Sequence, residues 1–391
     1  MTHSIFLLST KAVCLLPAFL FVQQNDKFLM PYPLTSRVNA VNYGAFAHRG
    51  AWSTPNSALS LELMIERLNP THVVLSIVAF QKTAQSTDVD YTSTKTVDIQ
   101  EVREVVERLH RAGLRVILKP MVDVLDGTWR AYICFFDVDV PTEPTWAQWF
   151  ASYTKFQLHF ARFAQEMGVE MFVVGCEMCM AQHREQEWRK LISDVRHVYT
   201  GLVTYNADKF QEEKIDWWDA CDLISSSAYY PIDCWSAAIE RIERIVARFN
   251  KPFVFMEAGC RNVEGAIDRP GKHDYPGARS DLDQVHYYTA LFSACEASGF
   301  VSGVCIWDWP ADLSSLPELR YCPLNRPAEK IIRAQFDRTS PHQFGQLRKP
   351  LPRATFRPLV RKSARADLLV RILRKVASIF SRLGDRLDKK V

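Results

Sequence analysis

The sequence predicts an α/β chain folded as a (β/α)8 barrel, the TIM-barrel architecture, followed by a basic linker and an amphipathic helix. Three observations predict it. Eight short β-branched or apolar runs recur between about residues 39 and 335. Patterns with apolar residues three and four apart, the mark of helices, separate them. No GxGxxG turn follows the first run, which disfavours the competing open, doubly wound sheet. Each parallel strand needs a crossover helix, and eight such units close the sheet on itself.

In chain order, the strands are placed at Ala40–Phe46, His72–Val78, Arg115–Met121, Glu170–Cys176, Gly201–Asn206, Asp222–Ala228, Pro252–Glu257 and Gly303–Trp307. The helices between and after them are placed at Ser57–Leu68, Ile99–Ala112, Thr145–Met167, Glu185–Tyr199, a short one near Glu213–Asp219, Trp235–Phe249, Leu282–Ser298 and Arg326–Phe336. The chain divides into an N-terminal extension (1–38), the barrel (39–340) and a Pro/Arg-rich linker with a basic tail (341–391). In the tail, Leu369, Ile372, Leu373, Val376, Phe380, Leu383 and Leu387 recur at helical spacing among Arg and Lys.

Composition narrows the function classes. At 391 residues, 48% hydrophobic and 24% charged, the chain is ordinary globular protein, and 12% aromatics are too many for disorder. The net charge of +4 is uneven. Arg348–Val391 carries fourteen Lys/Arg against three acids, +11, which leaves −7 on residues 1–347. The barrel is therefore not a nucleic-acid binder. The tail has the character of a segment that lies on an anionic membrane surface, with packing against the acidic barrel or pairing with a partner helix as the alternative.

Ten scattered cysteines read as buried free thiols of a reducing, cytoplasmic setting. The apolar run Ala12–Val22 is too short to span a membrane, though long enough for a signal core, and no small-x-small cleavage site follows it, so a buried N-terminal strand or helix is expected, with membrane association or export as the alternative. A lone Cys176-to-Cys179 pair has no second pair to make a zinc site. No metal or other cofactor is called for.

In a barrel, chemistry sits at the C-terminal strand ends. Two of these ends finish in glutamate after long apolar runs: Glu177 after strand four and Glu257 after strand seven. A charge there costs several kcal/mol unless it is bonded or used. Two carboxyls across a cleft suit cleavage of a glycosidic bond, one neutral to protonate the leaving oxygen and one ionised to attack. Aromatic and polar residues at other strand ends fit a sugar: Trp129 after strand three, Asn206 at strand five, Tyr229 and Tyr230 at strand six, Trp307 and Asp308 at strand eight. Tyr229 is placed to bond Glu257, Lys119 to make an ion pair inside the barrel, and His48, Arg49, Trp52 and Asp123 to face the mouth. An amidohydrolase-type metal site would need His-x-His after strand one, where His48 stands alone.

Several runs occur together in barrel order. They are Val174-Gly175-Cys176-Glu177-Met178, Leu202-Val203-Thr204-Tyr205-Asn206-Ala207, Ala228-Tyr229-Tyr230-Pro231, Glu257-Ala258-Gly259 and Asp126-Gly127-Thr128-Trp129-Arg130. Over about residues 39–310 the sequence resembles glycoside hydrolase family 113, the β-mannanase-type barrels of clan A. The resemblance implies a retaining double displacement with Glu177 as acid/base and Glu257 as nucleophile. It also implies a β-linked hexose polymer or oligosaccharide as substrate, mannan-type first, with β-glucan or xylan, or a barrel that binds sugar without cleaving it, as alternatives. Three departures stand out: Cys176 where many clan A barrels have Asn, Ser225-Ser226-Ser227 in strand six, and Met121 where the family often has His.

Overall fold

The structure, a computed structural model, describes residues 37–314 and 316–339. The apolar N-terminal run and the basic tail lie outside the described residues. Eight parallel strands close into a barrel in sequence order, β1-β2-β3-β4-β5-β6-β7-β8. They are β1 (Val38–Tyr43), β2 (His72–Gln81), β3 (Arg115–Val124), β4 (Met171–Cys176), β5 (Leu202–Ala207), β6 (Ile224–Ser227), β7 (Phe253–Ala258) and β8 (Val301–Trp309). Nearly every strand residue is buried, as expected where side chains face either the barrel interior or a covering helix layer.

The described helices are α1 (Pro55–Leu68), α2 (Ile99–Arg111), α3 (Trp146–Met167), α4 (Glu185–Arg196), α5 (Trp235–Phe249), α6 (Asp281–Ser298) and α7 (Pro327–Arg338). Local chemistry sets their starts. Thr54 caps α1, Asp98 with Glu101 and Thr145 with Gln148 form capping boxes on α2 and α3, and Ser280 caps α6. The short helix expected near Glu213–Asp219 resolves instead into two 3-10 turns, Glu212–Lys214 and Trp218–Ala220. Trp217 and Trp218 in this segment are fully buried, so packing of two adjacent indoles overrides a regular amphipathic period. Strand β1 ends at Tyr43 rather than Phe46, whose φ is 60°.

Close approaches dictate two glycines. At the closing seam, Val38 pairs with Gly303, where an added Cβ would lie 2.4 Å from the Val38 Cβ. On β4, a Cβ at Gly175 would lie 2.9 Å from both Trp188 and Tyr205. Trp188 stacks on Trp217 with centroids 5.2 Å apart, and its Nε1 donates to Ala181 O at 2.8 Å. This aromatic packing between α4 and the barrel fixes the loop that follows β4. Trp188→Ala should therefore cost about 3–5 kcal/mol in urea or thermal unfolding; a loss under about 1 kcal/mol would show that the cluster does not hold this side of the barrel.

Candidate active site

The register of the sheet slips at several strand ends on one side of the barrel. Shifts fall between Val173 and Cys176, between Ser226 and Ser227, and between Phe255 and Ala258, leaving Cys176 beside Asn206 and Ser227 beside Glu257. Such irregularities re-aim side chains where pairing ends. Here they turn the two glutamates toward the barrel mouth.

Glu177 follows β4 with φ of 54°, a left-handed conformation held by its N–H donating to Asn206 O at 2.8 Å. Ser227 Oγ donates to its Oε1 at 2.7 Å, and Arg130 Nη1 to its Oε2 at 3.3 Å. Arg130 is itself pinned by donation from Nε to Val122 O at 2.9 Å. Burial, then the neighbouring charges of Glu257 and Asp208, push the Glu177 carboxyl up to about 7 against the pull of Arg130 and Ser227.

Glu257 ends β7 in a different setting. Its Oε1 accepts from Lys119 Nζ at 2.6 Å and from the Cys176 thiol at 3.5 Å, and its Oε2 accepts from Tyr229 at 2.9 Å. Burial alone would raise its pKa. The Lys119 ammonium, with Arg130 and the Tyr229 hydroxyl, outweighs burial and holds the carboxyl below its ordinary value. The same ammonium lies 5.3 Å from the centroid of Trp307. Two carboxyls of one site are thus driven in opposite directions, one toward neutral and one toward ionised.

Above them opens a cleft of about 860 Å³. Phe46, Trp129, Phe210 and Trp307 give it aromatic walls, and Asp123, Asp208 and Lys209 supply polar groups. Phe46 meets Trp307 edge to face at 6.0 Å. Trp129, Tyr229, Trp307, Glu177 and Glu257 line the cleft as expected from the sequence, as does Asp123.

Three expected sugar contacts do not line it. Tyr230 is fully buried behind the barrel, its ring 5.3 Å from Trp235 and its hydroxyl donating to Glu212. The two tyrosines lie just past β6, where their side chains part: Tyr229 reaches Glu257 and Tyr230 turns back to Trp235 and Glu212. Asp308 is also absent from the cleft lining. It lies near Tyr288 and Tyr321, and burial pushes its carboxyl up to about 7; the peptide joining it to Trp307 is cis. Asn206 points inward but is sealed beneath the carboxylates, with no exposed surface. His48, Arg49 and Trp52 also fall outside the cleft lining: Arg49 donates to Thr92 O at 2.8 Å, and Trp52 is 3% exposed.

Arg130, Ser227, Asp208, Phe46 and Phe210 are site residues that the sequence reading did not assign. For Ser227 a signal was present, in three consecutive serines ending an otherwise apolar strand. Phe46 and Phe210 sit in loops and share only a positive φ, which no residue pattern announces. Among the described residues, no group of three or more His, Cys, Asp or Glu is placed to hold a metal ion.

Hydrolysis of a glycosidic bond asks for one carboxyl that keeps a proton and one that has lost it, and this mouth holds such a pair beneath an aromatic cleft. Fold and site together define a barrel glycoside hydrolase. The chain belongs to glycoside hydrolase family 113, whose family profile matches residues 41–320. It is similar to a solved β-1,4-mannanase of that family at 42% identity and a TM-score of 0.76, covering 77% of this chain and 99% of that one. It is also similar to the β-mannanase of Alicyclobacillus acidocaldarius in complex with ManMIm, at 34% identity and a TM-score of 0.75, covering 78% and 98%. The β-glucuronidase of Ruminococcus gnavus shares the fold alone, at 13% identity and a TM-score of 0.52 over 77% of this chain and 50% of that one. Comparison with curated proteins gave no match.

The Lys119–Glu257 pair can be tested directly. Lys119→Met leaves a buried carboxylate without its cation. The Glu257 carboxyl should then titrate above its ordinary range, because burial acts unopposed by its main partner. Stability should fall by about 3–5 kcal/mol wherever Glu257 is ionised. Carbon-13 titration of the carboxyl and thermal melts at several pH values check both; an unmoved Glu257 would show that Lys119 does not govern it.

Proposed function

We propose that the protein is a retaining β-mannanase, with Glu257 as nucleophile and Glu177 as acid/base. The observation that carries this reading is the opposed environment of the two carboxyls, one raised by burial and one held ionised by Lys119. The 42% and 34% identities to family 113 β-mannanases support β-1,4-linked mannan or its oligosaccharides as substrate.

In the first half-reaction a Glu257 oxygen attacks the anomeric carbon while Glu177 gives its proton to the departing glycosidic oxygen. The C–O bond to the leaving sugar breaks, and an ester between sugar and Glu257 forms. Esterification removes the Glu257 charge, one of the influences that raise Glu177. The Glu177 pKa then falls, and the ionised carboxylate is ready to take a proton from water. That water attacks the same carbon, the ester bond breaks, and the sugar leaves with its original configuration. Trp307, beside the nucleophile, and the rim rings Trp129, Phe46 and Phe210 offer faces for pyranose stacking.

The pH dependence follows from these protonation states. The acid must be protonated, so kcat/KM should fall as pH rises through about 7, where Glu177 ionises. The nucleophile must be ionised, so the acid limb should lie below the ordinary glutamate range. Glu177→Ala should lose about 10²–10⁴-fold on soluble mannan yet recover with azide and an activated aryl β-mannoside. With azide, Glu257→Ala should give the inverted α-mannosyl azide, whereas Glu177→Ala should give the retained β-azide. Proton NMR of the first-formed anomer and a reducing-end comparison of mannan, glucan and xylan complete the test. An inverted product from the unaltered enzyme, or the absence of azide rescue in Glu177→Ala, would refute the assignment.

A further inference from the structure

Beneath the two carboxylates runs a bonded chain that the reaction above does not use. Cys176 Sγ donates to Glu257 Oε1 at 3.5 Å, and Ser227 Oγ donates to Glu177 Oε1 at 2.7 Å. Asn206 Nδ2 donates to both of them, to the sulfur at 3.3 Å and to the serine oxygen at 3.1 Å. Asn206 is fully buried at the end of β5, so it reaches no substrate.

The amide nitrogen carries two hydrogens, and each finds one acceptor here. Its oxygen, Oδ1, has no hydrogen-bond partner. Turned over, the amide would bury both hydrogens without an acceptor, at a cost larger than one unpaired oxygen. The orientation is fixed by that difference. A serine oxygen that accepts from Asn206 keeps its own single hydrogen for Glu177.

We propose that Asn206 is a positioning residue for the acid/base: by donating to Ser227 it directs the serine hydrogen onto Glu177 Oε1, so that the transferable proton is carried on Oε2, the oxygen beside Arg130. The inference rests on the acid/base reading of Glu177. Asn206 also fixes the main chain there, since its carbonyl accepts the Glu177 N–H at 2.8 Å. One residue thereby sets both the direction of the glutamate and which of its oxygens carries the proton, Oε1 being taken up by the serine hydrogen while Oε2 has only the longer 3.3 Å contact from Arg130.

The groups that face Glu177 come from several elements. Glu257 and Tyr229 lie across the barrel, Arg130 and Lys119 on the β3 side, Asp208 after β5, and the thiols of Cys176 and Cys179 on its own strand and loop. Against this background the serine hydrogen favours the ionised carboxylate, and its loss raises the titration.

The experiment uses the full chain labelled with carbon-13 at glutamate carboxyls, with the Glu177 signal assigned by its absence in Glu177→Gln. Ser227→Ala should move the Glu177 titration upward from about 7, by roughly half a unit to one unit. Asn206→Ala should move it the same way, and the double variant should move it no further than Ser227→Ala alone. Asn206→Leu, which fills the amide's volume without a donor, should repeat the shift, and Ser227→Thr, which keeps the hydroxyl, should restore the original value. Additive shifts, or an unmoved titration in both Asn206 variants, would overturn the proposal. The basic limb of kcat/KM should follow the NMR titration in each variant. A titration that moves while that limb stays fixed would refute the acid/base role of Glu177 and leave the Asn206–Ser227 coupling standing.

Discussion

A lysine and a glutamate meet inside the barrel at 2.6 Å, with side-chain exposures of 0% and 6%, and the order of charges in the site depends on them. Desolvating two such ions costs several kcal/mol each, and apolar residues of the same volume would make a more stable interior. What the pair provides is a carboxylate that stays ionised to lower pH than an ordinary glutamate. That charge is one of the reasons the second carboxyl, buried and faced by Asp208 as well, keeps its proton near neutrality. Remove the ammonium and burial would raise both carboxyls together, erasing the difference between them.

The barrel delivers this arrangement by being imperfect at its rim. Where strands run in register, alternation sends side chains inward and outward in strict turn. At the ends of β4, β6 and β7 the pairing slips, so Cys176 lies level with Asn206 and Ser227 level with Glu257. Polar groups from neighbouring strands thereby collect on one level and bond sideways around the mouth. The aromatic packing of Trp188, Trp217 and Tyr205 outside the sheet holds the β4 end in place, and Tyr205 OH accepts from the Met178 N–H at 2.8 Å, directly after Glu177.

Much of this was legible in the sequence, for identifiable reasons. Eight apolar runs with helices between them announce a closed barrel, and a glutamate at the end of such a run announces a buried carboxyl that must be used or paired. Glu177, Glu257, Tyr229, Trp307 and Trp129 fell where that logic put them. Tyr230 and Asp308 did not, because each follows a correctly placed neighbour, and position at a strand end says nothing about where a side chain points until the path of the chain there is known. Asn206 points the right way but lies too deep. Arg130, Phe46 and Phe210 belong to loops whose paths come from tertiary packing, and for them hydrophobic periodicity carries no information.

The cysteines are held as thiols by their surroundings. Nine are described, all unpaired, and each has its thiol pushed above the ordinary value, chiefly by burial. Oxidants and alkylating agents react with thiolate rather than thiol. A chain this rich in sulfur would ordinarily be a target for peroxide and disulfide exchange, yet here the reactive form is suppressed at every described position. The sulfur nearest the two carboxyls, Cys176, is among the most strongly suppressed, held by burial and by the Glu257 charge beside it. At the described positions cysteine thus serves as a small, dense packing group, and at Cys176 as a hydrogen-bond donor, with the thiolate disfavoured.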